Sequence, residues 1–144
     1  MCALVVDRNP KHLSLAANTV RAAGFPAIET MDSYESARSW LEGRREAHLP
    51  PPQLMILDLD LGLDSGYDLL RFWYFTPAWS KTHVIVWTDL PEDNRKICEL
   101  FKVDFYIPKW EGAAALQKAL QMLNAATNTQ SPELEDVSNL ASKS

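Results

Sequence analysis

The chain has 144 residues, 47% of them hydrophobic, which suits one domain with a sizeable core and a short extension. Basic residues number 14 against 19 acidic ones, a formal net charge of −5, so the basic face that phosphate-backbone binding needs is missing and no direct contact with nucleic acid is expected. Cys2 and Cys98 read as reduced thiols of a cytoplasmic protein, the three histidines share no metal-ligand spacing, and the first apolar run is too short for a signal peptide or a membrane span.

Short apolar runs alternate with helical patterns along the chain. Cys2 to Val6 suits a strand buried on both faces. Asn9-Pro10 then starts a helix, with Asn as its cap and Pro in its first position, and Gly24 closes it. Pro26 to Met31 is a weaker strand, and Ser33 caps a second helix through Ala37, Trp40 and Leu41. His48 to Pro52 is a stiff connector. Gln53 to Asp58 is the clearest strand; it breaks at Gly62 and Ser65-Gly66, and a helix starts near Tyr67. His83 to Thr88 is the next strand. Pro91-Glu92-Asp93 is expected to open a helix with acids in its first turn, where the positive helix end favours them. Val103 to Ile107 is a short strand and Gly112 to Asn124 a closing helix. From Ala125 to Ser144 the polar composition reads as a flexible tail or linker, leaving residues 1–124 as the domain. Repeated strand–helix units predict an α/β fold: a doubly wound five-stranded parallel sheet with helices on both faces.

In such a sheet, ligands bind outside the carboxyl ends of the strands. The first strand runs into Asp7, the third into Asp58, the fourth ends in Thr88 and the fifth runs into Lys109. Two carboxylates, a hydroxyl and an ammonium are thus expected on one edge. Carboxylates together can hold a hard cation, and the lysine can contact a phosphoryl oxygen as a point charge.

Four segments, in order and at fitting intervals, resemble the receiver domains of two-component response regulators. Val5-Val6-Asp7-Arg8-Asn9-Pro10 resembles their acidic first loop, and Leu57 to Gly62 followed by Ser65 to Leu70 their phosphoacceptor segment. Val84 to Thr88 resembles their switch strand, and Tyr106-Ile107-Pro108-Lys109 their aromatic-switch and lysine segment. The resemblance covers about residues 2–124 and implies the flavodoxin-like (βα)5 receiver fold. It implies Asp58 as phosphoacceptor, with the phosphoryl group coming from a histidine kinase or phosphotransfer protein. Asp7, Asp58 and the backbone carbonyl of Asp60 would hold Mg2+, Lys109 would bind the phosphoryl oxygens, and Thr88 and Tyr106 would act as the switch. The output would be a contact with a downstream protein or output domain, with room for a homodimer, rather than an enzymatic reaction.

Two positions depart from the pattern. Arg8 stands where the family usually has a second acid, and Asp89 where it usually has a small residue after the switch threonine. Arg8 brings the formal charge of the pocket to about zero instead of about −2, which weakens Mg2+ binding. Two pairings are open to Arg8: Asp58, where it would mimic the cation, or Asp89, which would leave Asp58 free. A pseudo-receiver, an interaction module withdrawn from phosphotransfer, is therefore the close alternative. Asp58-Leu59-Asp60 also resembles the nucleophile motif of haloacid-dehalogenase-type phosphatases, but that motif normally lies on the first strand and needs a later acid pair. Phe72-Trp73-Tyr74-Phe75 spans every direction around a helix, so it either forms an exposed partner patch or packs beneath the connection Pro77–Lys81.

Overall fold

A computed structural model describes residues 2–62 and 64–124 of the chain; the tail expected from residue 125 to 144 lies outside the described residues. Five strands form one parallel sheet: β1 (Cys2–Val6), β2 (Ala27–Met31), β3 (Leu54–Leu57), β6 (His83–Thr88) and β7 (Phe105–Pro108), in the order β2-β1-β3-β6-β7. A two-residue pair, β4 (Asp60–Leu61) antiparallel to β5 (Asp64–Ser65), ties off the loop beyond β3. The helices are α1 (Pro10–Ala22), α2 (Tyr34–Glu46), α3 (Gly66–Tyr74), α4 (Asn94–Leu100) and α5 over residues 112–124. This is the doubly wound arrangement, and its strand order reverses between β1 and β3.

The apolar runs explain the layers. Side chains alternate along each strand, so one face of the sheet carries Leu4, Val6, Met55, Leu57, Val84 and Val86 against α2, α3 and α4. The other face carries Ala3, Val5, Ile56, Ile85 and Trp87 against Ala16 and Val20 of α1 and Leu116 and Leu120 of α5. Strands covered on both faces need no polar alternation, which is why β1, β3 and β6 read as continuous apolar runs. β2 lies at the edge and is half exposed, in keeping with its mixed sequence.

The helix starts follow local chemistry. Asn9 Oδ1 accepts from the backbone N–H of Lys11 and His12, and Ser33 Oγ from that of Ser36. Gly24, at φ +105°, takes the left-handed turn that ends α1. One start differs from expectation. α4 begins at Asn94, after a turn in which Asn94 N–H donates to the Pro91 carbonyl and Arg95 N–H to that of Glu92. The acids of residues 91–93 thus precede the helix, because the Leu90 and Pro91 carbonyls are turned toward the Tyr106 hydroxyl.

The four aromatics divide. Trp73 is buried and its indole N–H donates to the Trp79 carbonyl, while Phe72 meets the Trp79 ring edge-on at 4.9 Å, beneath the 3-10 turn Pro77–Trp79. Tyr74 and Phe75 are exposed, at 38% and 71%. The stretch is therefore divided, with Phe72 and Trp73 packed beneath the connection and Tyr74 and Phe75 turned outward. No helix among the described residues is long and apolar enough to cross a membrane.

Candidate functional site at the carboxyl edge of the sheet

Register brings the site together. Val6 pairs with Leu57 across β1 and β3, so Asp7 and Asp58 emerge side by side where the strand order reverses. Leu57 pairs with Val86, and Thr88 with Pro108, which sets Thr88 and Lys109 on the other flank of Asp58. Asp7 is 2% exposed, Asp58 5% and Thr88 0%, so these polar groups line a site almost without solvent.

Every carboxylate oxygen has a partner. Asp7 Oδ1 accepts from the Asn9 N–H at 2.9 Å, and Asp58 Oδ1 from the Asp60 N–H at 3.0 Å and the Thr88 hydroxyl at 2.6 Å. Their Oδ2 atoms both meet the Lys109 ammonium, at 2.7 Å for Asp7 and 2.8 Å for Asp58. The third ammonium proton goes to His12 Nδ1 at 2.8 Å, which uses all three donors of the lysine. Burial raises the pKa of Asp7, against the hydrogen bonds from Lys109 and Asn9 that lower it. Burial alone would lower that of Lys109, but the bonds and charges of Asp58 and Asp7 outweigh it and the net shift is upward.

The loop after Asp58 curls back over β1. Asp60 Oδ1 accepts from the Gly62 N–H, Gly62 turns at φ +78°, and the Gly66 N–H donates to the Leu59 carbonyl. Gly66 packs so closely that a Cβ there would lie 2.5 Å from the Asp58 carbonyl oxygen. The backbone behind the central carboxylate is thereby fixed.

Arg8 pairs with neither residue that the sequence left open. Its Nη2 donates to Asp60 Oδ2 at 3.1 Å, at the mouth of the site. Asp58 is already held by Lys109, while the curled loop carries the Asp60 carboxylate within reach of the end of β1. Asp89 is exposed and makes no ion pair among the described residues.

Tyr106 is buried, its hydroxyl donating to the Pro91 carbonyl at 3.1 Å and more weakly to that of Leu90, with the Arg95 guanidinium 4.8 Å above its ring. Leu90 N–H in turn donates to Thr88 Oγ1 at 3.3 Å. A continuous path of contacts therefore runs from Asp58 through Thr88 and the 89–93 loop to Tyr106 and α4.

His12 is the member that sequence spacing missed. A helix starting at Pro10 directly after β1 places residue 12 in its first turn above the strand end, and that placement is the signal that could have found it. Its ring also meets Trp87 edge-on at 5.8 Å.

Mg2+ takes one or two carboxylates and completes its octahedron with waters and phosphate oxygens, so an ion here would contend with Lys109 rather than with a shortage of donors. Two carboxylates and one backbone carbonyl are the oxygen donors available from Asp7, Asp58 and Asp60, and the outward oxygens of both buried carboxylates are bridged by a lysine ammonium. No group of three or more histidine, cysteine or acidic side chains that could hold a metal occurs among the described residues.

This architecture is that of response-regulator receiver domains, and solved structures agree. The signal receiver domain of a DNA-binding response regulator from Colwellia psychrerythraea superposes with a TM-score of 0.73, at 18% identity, over 87% of this chain and 98% of that one. A phosphorylated cyanobacterial phytochrome response regulator gives 0.70, at 21% identity, over 85% and 89%. The Mn2+-bound form of another response regulator gives 0.70, at 20% identity, over 86% and 91%. No family model matches the chain, and no curated protein matches it.

Proposed function

We propose that the chain is a two-component signalling receiver in which Asp58 accepts a phosphoryl group from the phosphohistidine of a histidine kinase or phosphotransfer protein. One observation carries this reading. A buried carboxylate at the end of the central strand has a hydroxyl, Thr88, on one oxygen and an ammonium, Lys109, on the other. A carboxylate attacking a phosphoryl donor brings anion to anion, so positive charge must be in place where the negative charge develops. Lys109 supplies it and can pass from the carboxylate to a phosphoryl oxygen while remaining bonded to Asp7. Thr88 supplies a second donor.

The new phosphoryl group adds a charge of about −1.5 to −2. Thr88 follows the phosphoryl oxygen, the bond from Leu90 N–H follows Thr88, and the carbonyls that hold Tyr106 shift with them. The face formed by the 89–93 loop, α4 and Tyr106 then changes shape for a downstream protein. A cytoplasmic location belongs to this reading, as does an output made by protein contact.

Incubation of the full chain with acetyl phosphate, followed by intact mass, tests it. The expected result is one phosphoryl adduct, absent from Asp58→Asn. An unmodified wild-type chain, or an adduct that survives Asp58→Asn, rejects it.

A second reading, the pseudo-receiver, is favoured by a specific observation. Thr88 and Tyr106 already lie inward, and both oxygens of Asp58 are engaged by protein groups. In that reading the face is permanently set. Partner binding unchanged in Asp58→Asn would select it.

A further inference from the structure

The geometry points to Arg8 as the tethered cation of this site: its guanidinium takes the place of a divalent ion, so that Asp58 is phosphorylated without a metal. This rests on Asp58 being a phosphoacceptor. Arg8 directly follows Asp7 at the end of β1, and its guanidinium spans to the loop beyond Asp58. Nη1 lies against Gly62, where an added Cβ would come within 3.3 Å of it, so glycine leaves room for the group. Its anchor, Asp60, donates its own N–H to Asp58 Oδ1. The cation is thus held against the loop that follows the acceptor, the same loop whose carbonyl would be a metal ligand.

Charge gives the need. Asp7, Asp58 and Lys109 leave one excess negative charge before a dianionic donor arrives, and the oxygens that could bind an ion are bridged by Lys109. Mobility gives the means. The Arg8 side chain is 55% exposed and its pair with Asp60 is its one polar contact among the described residues. An exposed pair of this kind is weak, so a phosphoryl group competes for the guanidinium easily. The guanidinium fork suits two phosphoryl oxygens at once.

With acetyl phosphate the step balances as it stands. Asp58 Oδ2 bonds to phosphorus, the bond from phosphorus to the acetyl oxygen breaks, and acetate leaves with the electron pair. No proton is transferred.

The test compares wild type, Arg8→Ala and Arg8→Asp, each checked for folding by circular dichroism. Adduct formation from acetyl phosphate is followed by intact mass in EDTA and in Mg2+, and Mn2+ binding by electron paramagnetic resonance. The expected result is a wild-type rate equal in EDTA and Mg2+, lowered by about tenfold or more in Arg8→Ala. Arg8→Asp is expected to need Mg2+ for any adduct and to bind Mn2+ more tightly than wild type. A wild-type adduct that forms only with Mg2+, or Mn2+ binding equal in wild type and Arg8→Asp, overturns the inference and leaves the phosphoacceptor reading standing. An absent adduct in every condition removes both.

Discussion

Two sets of ion pairs share one edge of the sheet and differ in nearly everything else. Lys109 and its partners Asp7 and Asp58 have side chains only 5%, 3% and 6% exposed, whereas Arg8 and Asp60 are 55% and 39% exposed. The bond lengths differ little, so length is not what separates them. Burial is. Inside, removing either partner strands a charge that water cannot reach; outside, water and salt replace the partner at little cost. The inner set therefore fixes the site, and the outer set is free to respond to what arrives.

The largest break in this comparison is Lys109→Ala. It leaves Asp7 and Asp58 facing each other without a counter-charge, and a loss of about 3–5 kcal/mol is expected by urea denaturation. Adding Asp58→Asn should return part of that loss by removing one stranded charge. A loss below about 1 kcal/mol would show that water reaches the inner set after all.

Next is Gly66→Ala, which strikes the support of the inner set rather than its charges. The new methyl meets backbone on both sides, at the Asp58 oxygen and the Leu59 Cα, so the chain must move. About 2–3 kcal/mol of destabilisation is expected, measurable by thermal unfolding.

pH sharpens the contrast. The pKa of Lys109 is raised above its ordinary 10.5, so its contribution to stability is complete below pH 10.5 and is lost as pH rises through the raised value. Burial pushes Cys98 from 9.0 up to about 11, and its contribution fades from pH 9 upward by the same sign. The urea midpoint should hold from pH 7 to about 9 and then fall. Cys98→Ala should delay the onset, with the thiol accounting for up to about 3 kcal/mol. A midpoint flat to pH 11 would remove the Cys98 contribution.

The smallest effect belongs to the outer pair. Arg8→Ala should change stability by less than about 1 kcal/mol, and by less still in high salt. A larger loss would mean that Arg8 is part of the rigid scaffold, which would weaken its role as a cation that moves.

Much of this edge was legible in the chain. β1, β3 and β6 are buried on both faces, so their residues form unbroken apolar runs, and each run stops at a polar residue that must lie at a strand end. Asp7, Asp58 and Thr88 announce themselves in this way, and Lys109 follows β7 directly. Asn9 and Ser33 mark their helices because a cap acts within three residues of itself. The start of α4 was not legible, since the turn ahead of it depends on carbonyls held by Tyr106, 15 residues further along the chain.

The sequence by itself determined the layers, the strand ends and the four polar residues that meet at the carboxyl edge. These follow from local patterns: burial on two faces, capping, and the rule that a parallel sheet gathers its strand ends. Tertiary structure alone decided who pairs with whom. Arg8 found Asp60 across 52 positions and His12 found Lys109 across 97, and the four aromatics were sorted by the position of Trp79. Such choices depend on distances and burial that exist only once the loops have closed over the sheet, because the charges on offer were alike and only their surroundings differed.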